Sequence, residues 1–586
     1  MSSSSVTNAS HSARRGRIPA SLGRLVPMVP IYVWLILLIV SPNLLLVIAS
    51  VWKNDGGVMI RELTLVNYGK VLDSSTYRLL IVRTLYTALG AALLAALIAY
   101  PMAYFASLKL RRHKMMAVLL VVIPLWVSLL IRVFAWRMIL GENGVLNSFL
   151  VDIGILDEPS EAFLYTRFTV FLTFTYVAIP YVFITAYTAL ERVPRNLIEA
   201  SHDCGAGRWR TIAHVIWPLS RQGVAIGFAL AFLIAVADYV TPSMVGGLDG
   251  TMVGMVIASQ FGLAGNWPLG AAMAITLLFF VILFIALIAR LAMVKGRLEA
   301  TPGMTIPAST RKLRTFPEHA RHIGSWALFA LPYLFLYTPL AAVAIFSFND
   351  SKIPSLPFVG FTLTWYDALF ADAEIGAALW RSVLVAGSAV AIALTAGTSF
   401  ALVFAGRRRR AAGVLLGGLS LPVALPGIVL GVSLVIAFQI FAIGPGVHRV
   451  IVGHLTFVMP IVMLIVLSRL RLLDPSYVEA SMDLGANRLQ TFIHVVFPMI
   501  SSALIGAALL GFTLSFDEII VTFFLTGVQP TLPVYVWNQL RFGFTPSVNA
   551  IFTCIGVASF VIVVIATRIL RREVGARQRA ALPASA

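Results

Sequence analysis

Residues 199–218 read EASHDCGAGRWRTIAHVIWP, and residues 479–498 read EASMDLGANRLQTFIHVVFP. The second copy starts 280 residues after the first (479 − 199 = 280) and stays in register. Identities fall at Glu199/Glu479, Ala200/Ala480, Ser201/Ser481, Asp203/Asp483, Gly205/Gly485, Arg208/Arg488, Thr211/Thr491, His214/His494 and Pro218/Pro498. Both copies are polar and lie between long apolar runs. A mostly hydrophobic chain with two matched polar surfaces presents one docking surface twice. Pro194, and Pro475 behind Asp474, open a short helix in each copy. Gly205 and Gly485 supply the left-handed residue that ends it. Residues 208–214 then carry the chain back, and Pro218 and Pro498 open the next apolar run. A solvated, capped loop would explain one copy; two in register argue against that.

This stretch resembles the EAA loop of ABC-importer membrane subunits: EAA, three residues, Gly, nine residues, then Ile-x-Leu-Pro. Here Ser201 and Ser481 replace the third residue, and the ends are Val215-Ile216-Trp217-Pro218 and Val495-Val496-Phe497-Pro498. In the family the loop is a coupling helix seated on the ATP-hydrolysing subunit. The resemblance therefore implies ATPase docking by Glu199, Ala200, Asp203, Gly205, Glu479, Ala480, Asp483 and Gly485. Residues 63–294 look like one permease subunit of the spermidine/putrescine branch, and 328–570 like its partner. The implied fold is all-α and integral to the membrane, a type I ABC-importer fold of two parallel six-helix halves. The implied partners are two copies of a cytoplasmic ABC ATPase, which use ATP and Mg, and an extracytoplasmic substrate-binding protein.

Composition agrees. Of 586 residues, 59% are hydrophobic, and the mean hydropathy of +0.90 excludes a soluble chain. A spanning helix needs about twenty apolar residues, and about twelve such runs occur. The formal charge of +19 is concentrated in short loops beside them, which is the positive-inside pattern and not a nucleic-acid patch. Cys204 and Cys554 form no disulfide or metal framework and read as free thiols.

The chain divides into a tail (1–27), a first half (28–296), a linker (297–324), a second half (325–572) and a second tail (573–586). The run at 30–51 is too long for a signal-peptide core and reads as a retained first span. Second spans fall at 79–106 and 378–405, third spans at 116–140 and 414–442, and fifth spans, each read as one helix, at 224–245 and 503–526. Lys109, Arg111, Arg112 and Lys114, and residues 407–410, mark the cytoplasmic face, which puts both termini inside a bacterial inner membrane. Six plus six spans make the repeat parallel, with its pseudo-two-fold along the membrane normal. Upstream the offset is 298 (Pro124/Pro422), so the first half has 18 extra residues (298 − 280) between spans three and four. That outside loop contains Asp152, Asp157, Glu158 and Glu161; it is either a contact for an extracytoplasmic partner or merely longer.

No phosphate-cradling G-x-x-x-x-G-K-[ST] occurs, so the chain is not itself the ATPase. Its histidines show no metal-binding spacing, no nucleophile elbow appears, and no bound cofactor is expected. The informative residues are acids inside apolar runs: Asp238, Asp517 and Glu518. A charge in a span costs at least about 2.5–3.5 kcal/mol, so it is functional or paired. The loop register sets Asp238 opposite Glu518 (238 + 280 = 518), and Gly247/Gly527 keeps that offset. In the family these spans line the translocation path. Salt bridges to Arg132 or Arg137 are the structural alternative, and Trp126, Trp136, Tyr239 and Phe516 are candidate walls for a cation. Together these features read as a fused importer permease for a small organic cation, a polyamine such as putrescine or spermidine. Iron(III), thiamine, opines and aminophosphonates remain alternative solutes. A secondary transporter is the rival from another class, and it gives no reason for matched loops.

Overall fold

A computed structural model describes residues 28–110, 113–293, 319–352, 356, 358–405, 418–419, 422, 425–542, 546–558 and 560–561; at 126, 292–293, 319–328 and 541–542 it describes the backbone alone. Both tails, linker residues 297–318, Arg111, Arg112 and the basic run 407–410 lie outside the described residues.

Among the described residues nine helices are long and apolar enough to cross a membrane: Val29–Ser50, Ser75–Lys109, Arg167–Glu191, Arg208–Ala237, Trp267–Leu291, Phe329–Phe346, Ala373–Ala405, Val447–Leu470 and Arg488–Phe516. A tenth is the pair Lys114–Leu125 and Leu129–Asp152, bent by 85°. The third span of the first half is therefore broken rather than one straight helix over 116–140. The two remaining positions of a six-plus-six plan hold the shorter helices Gly427–Ile440 and Ser547–Ala558. The all-α expectation also needs one correction. Trp52–Asp55 pairs antiparallel with Val58–Leu63 through Gly56 (φ +57°) and Gly57 (φ +91°). Two successive left-handed residues make the tight turn whose twist suits a hairpin.

The repeat extends into the core. On Ser75–Tyr104 the buried face is Thr84, Ala88, Ala91, Ala95 and Ala99; on Ala373–Ala405 it is Ser382, Ala386, Ala389, Ala393 and Gly397, each 298 residues later. Small residues at helical spacing let helix backbones approach closely, which is how spans associate when lipid removes the hydrophobic drive. A Cβ on Gly397 would sit 3.3 Å from the Met459 carbonyl oxygen, so span two lies directly against span four there. Ser50 and Tyr68 share a 2.7 Å hydrogen bond, and Ser347 and Tyr366 repeat it at 2.7 Å. The halves interlock through their first spans. Ser41–Ser50 packs on Gly427–Ile440 of the second half, and His319–Phe346 on Leu129–Leu140 of the first. Beside that second contact, Tyr176 of Arg167–Glu191 donates to the Leu336 carbonyl oxygen at 3.0 Å.

The two long fifth-span helices set the sidedness. Arg208–Ala237 has 30 residues and Arg488–Phe516 has 29, about 45 Å each at 1.5 Å per residue, more than the ~30 Å hydrocarbon core. Their far ends meet, with Tyr239 packed on Phe523 (5.8 Å) and Phe524 (6.1 Å). Two crossing helices that end at one level start on one face, so both polar segments share a face. Lys114 pairs with Glu191 at 4.0 Å, which places the turn after span two on that face as well. The turns after the far ends, at 246–250 and 526–531, lie opposite. In a variant lacking Cys204 and Cys554, single cysteines at Leu248 and Val528 should label in intact cells with an impermeant maleimide. Cysteines at Trp209 and Leu489 should label only after permeabilisation; identical labelling of all four would overturn the sidedness.

Candidate functional site

The two polar segments fold alike. Arg195–Asp203 and Ser476–Asp483 are short helices, each ended by a glycine in the left-handed region, Gly205 (φ +79°) and Gly485 (φ +88°). Ala206 N–H reaches back to the Ser201 carbonyl at 3.0 Å, and Ala486 N–H to that of Ser481 at 3.2 Å, closing the helix end. An added Cβ at either glycine meets nothing within 4 Å, so the requirement there is conformational, not spatial. Asp474 accepts from Ser476 N–H at 3.0 Å and starts the second helix; the backbone and hydroxyl of Ser476 hold its carboxyl below its ordinary pKa. Each chain then re-enters its long helix through a wide five-residue turn, Ile212–Ile216 or Phe492–Val496, of the kind often found at working sites. His214 and His494 donate to the carbonyls of Arg210 and Gln490, both at 3.0 Å, so each is satisfied by its own helix. Glu199, Ala200, Asp203 and Gly205 are exposed, as are Glu479, Ala480, Asp483 and Gly485.

Two features of these segments escaped the sequence reading. Ser201 shares a 3.0 Å hydrogen bond with buried Thr211, and Ser481 a 3.1 Å bond with buried Thr491. Serine at the third position therefore pins the short helix to the base of the long one. Register identity at both positions was the signal. Beside them, Trp209 and its counterpart Leu489 are 81% and 66% exposed, apolar groups with no cover in the chain itself.

At the far ends, the fifth spans are not continuous helices to 245 and 526. The first stops at Ala237 and restarts as Val240–Val245; the second stops at Phe516 and restarts as Ile520–Leu525. Asp238 is buried, and its Oδ1 accepts from the N–H groups of Val240 (2.8 Å) and Thr241 (2.9 Å), while the Thr241 hydroxyl donates to Oδ2. Glu518 Oε1 accepts from Val521 N–H at 2.8 Å, the residue 280 after Thr241. The predicted pair is thus structurally equivalent: each acid caps the restarting helix of its own span. Asp517 does something else. Its Oδ2 accepts from Leu129 N–H at 3.0 Å, and with Ser128 it caps the far limb of the bent third span in the other half.

Arg132 lies buried one turn into that limb, within electrostatic reach of both Asp238 and Asp517. The alternative of a salt bridge is not realised; no N···O contact of 4 Å or less joins Arg132 or Arg137 to an acid among the described residues. Arg137 instead donates to the Leu540 carbonyl at 3.1 Å. Tyr239 joins Phe523, Phe524 and Trp537 (6.3 Å) in a cluster that welds the two breaks together. Trp136 belongs to a different cluster, with Tyr176 (5.7 Å) and Phe335 (5.2 Å). The Trp126 side chain lies outside the described residues. Asp517 borders a cavity of about 390 Å³, mostly apolar, walled by Ser128, Leu379, Val383, Phe516 and Cys554.

The family described as the binding-protein-dependent transport system inner membrane component matches residues 9–296 and again 393–574, most of the chain. The chain belongs to this family. It is a multi-pass inner-membrane permease of an ABC importer and not an enzyme in its own right; ATP hydrolysis falls to a partner subunit. Among similar proteins is the spermidine/putrescine transport system permease protein PotB of Haemophilus influenzae, 32% identical over 248 residues, which cover 42% of this chain and 86% of that one. The putrescine transport system permease protein PotI of Escherichia coli K12 is 34% identical over 263 residues, 43% of this chain and 93% of that one. A solved bacterial ABC transporter for the acidic polysaccharide alginate aligns at 14% identity with a TM-score of 0.37, over 47% of this chain and 97% of that one. That likeness does not bear on the permease's cargo.

The caps separate two roles that an acid can have. Asp238→Ala removes the acceptor for two N–H groups, which should cost the permease about 1–3 kcal/mol of stability, seen as a lower melting temperature in detergent. Asp238→Asn keeps an acceptor and should melt close to wild type. Equal melting of both variants would remove the capping role.

Proposed function

We propose that this permease forms the translocation path for a polyamine, with both polar segments docked on two copies of a cytoplasmic ATPase. The observation that carries the cargo reading is the charge count at the fifth-span breaks: Asp238, Asp517 and Glu518 gather there, and buried Arg132 lies within electrostatic reach of the first two. Ionised acids gathered in a low-dielectric site repel one another, and an incoming cation relieves that repulsion. A linear di- or polyamine suits the place, since its ammonium groups meet the acids and its methylenes meet Tyr239, Phe523 and Trp537. The likeness to spermidine and putrescine permeases supports the same cargo. Asp517 is the primary contact in this reading, because it borders open space while both oxygens of Asp238 are occupied. The face bearing residues 199–218 and 479–498 is the cytoplasmic one, and both termini lie there. The fused halves are 28–296 and 325–572, joined by 297–324, with tails at 1–27 and 573–586.

Asp517→Asn keeps an acceptor for Leu129 N–H but deletes the charge. A charge-assisted hydrogen bond contributes about 1.5–3 kcal/mol, so labelled spermidine or putrescine uptake should fall about ten- to a hundredfold. Glu518→Gln should act likewise, and Asp238→Asn less. Transport of iron(III), thiamine, an opine or an aminophosphonate with Asp517 and Glu518 dispensable would replace the polyamine reading. For the docking reading, Glu479→Lys reverses a charge on the exposed face and Gly485→Val forces a β-branched residue left-handed, costing about 1–2 kcal/mol locally. Uptake and cargo-stimulated ATP hydrolysis should drop together at normal membrane abundance, and wild-type uptake by the doubled variant would sink the assignment.

A further inference from the structure

We propose that Leu248 and Val528 are a matched pair of docking knobs for the extracytoplasmic binding protein. This rests on the importer assignment and is independent of the cargo.

Both residues are 95% exposed, and they are equivalent in the repeat (248 + 280 = 528). Each follows a left-handed glycine, Gly247 (φ +56°) or Gly527 (φ +73°), in the turn after the restarted fifth-span helix. That turn is on the face opposite the ATPase-docking segments, separated from them by a helix about 45 Å long.

The turns are built, not loose. A Cβ on Gly247 would sit 2.8 Å from Tyr165 Cβ, and one on Gly527 2.8 Å from Pro445 Cβ, so each turn is wedged against its neighbour. Arg83 Nη1 donates to the Asp249 carbonyl at 2.8 Å, and its repeat partner Arg381 donates from Nε to the Pro530 carbonyl at 2.9 Å. The next residues along span two, Thr84 and Ser382, accept from Val253 N–H (3.0 Å) and Leu532 N–H (2.8 Å). Each knob thus stands between a wedged glycine on one side and a segment held by span two on the other.

An aliphatic side chain fixed in water forgoes about 1.5–3 kcal/mol available on burial. Two at equivalent positions, each on a fixed turn, have the form of preorganised anchors, because little ordering entropy remains to be lost on binding. The family works with a binding protein on this face, and that protein is the partner the knobs fit. The flanks differ. The turn carrying Leu248 abuts the longer loop, where Arg167 pairs with Asp249 at 2.5 Å and exposed Asp152, Asp157, Glu158 and Glu161 follow the chain outward. Val528 has the short connection through Pro445, with exposed Glu374 and half-buried Arg381 of span two beside it. The larger acidic rim on the Leu248 side, next to symmetric knobs, selects one docking orientation, with a basic patch of the partner towards the longer loop.

The test uses the permease assembled with its ATPase in nanodiscs and the purified binding protein that stimulates the wild-type complex. Leu248→Asp and Val528→Asp should each raise the half-saturating binding-protein concentration for ATP hydrolysis at least tenfold. Leu248→Val and Val528→Leu should restore it. An unchanged half-saturating concentration in the double Asp variant would overturn the proposal. Tryptophan at 248 or 528 reports the other occupant. Quenching by brominated lipid would assign the knobs to the bilayer and also overturn it, whereas an emission shift only on adding binding protein would support it. Failure of polyamine uptake leaves all these readings intact, so the cargo and the docking surface fail separately.

Discussion

Inside an apolar medium a backbone N–H with no acceptor costs several kcal/mol, and a broken helix creates such groups at every restart. The centre of this permease is organised around that constraint. Both fifth spans break at equivalent positions, and each break has a carboxylate whose oxygens face the freed N–H groups. The acid's own burial cost and the unsatisfied backbone offset each other, which makes a buried Asp238 sustainable without a salt bridge. Because the restarted helices are only six residues long, their caps fix where the aromatic contact across the halves and the turns beyond will lie.

The pseudo-two-fold frame holds in the backbone of the fifth spans and is broken in the side chains around them. Asp517 occupies a position that is Ala237 in the first half, and it reaches the other half's bent third span, 388 residues away in sequence. His454 occupies a position that is Phe174 in the first half. Its Nδ1 lies 2.6 Å from Ser515 Oγ and its Nε2 2.8 Å from Thr522 Oγ1, so one imidazole bridges the two pieces of the second fifth span. Phe174 has no hydrogen-bonding side chain to do the same at the first break, where Thr241 binds Asp238 locally. A cargo in this path would therefore meet two chemically different walls in a symmetric frame, which suits an elongated molecule better than a spherical one.

The repeat, the family and the two polar segments were legible because they are written in local identities at a fixed offset. The breaks were not. Asp238 sits in AFLIAVADYVTP, where hydropathy runs straight through, and a single acid reads equally as a ligand or as a cap. Only the geometry of Val240 and Thr241 decides it. The hairpin was legible and missed: Asn54-Asp55-Gly56-Gly57 between apolar residues is a strong turn signal. Arg83 and Arg381 were legible too, since they match at the upstream offset, but their partners are carbonyls of a turn more than 140 residues away. Trp136 illustrates the opposite limit, because its type fits a cation wall, a membrane belt or a packing ring equally. The structure places it with Tyr176 and Phe335.

The clasps also determine where the molecule can move. Span two and the segment after the fifth span are joined in each half by an arginine donating to a carbonyl and a hydroxyl accepting from an N–H, and Arg83 adds a longer bond to the Thr251 carbonyl at 3.4 Å. Separating them at that end would strand an arginine, buried in the first half and half-buried in the second, and a backbone N–H in each half. At the other end of the same helices stand wide turns, an exposed short helix and one Ser–Thr hydrogen bond per half, worth about 1 kcal/mol net. Near the polar segments, Tyr100 and Ser220 (3.1 Å) join spans two and five in the first half, while Ile500 replaces the serine in the second. Relative motion of the two spans at that face is therefore cheapest in the second half, with the clasped end as the pivot. The fifth-span breaks lie one six-residue helix, about 9 Å, from that pivot, so a large displacement at the polar segments becomes a small rotation at the acids. A small rotation is sufficient there to alter the acids' contacts, because hydrogen bonds to a carboxylate weaken steeply with angle.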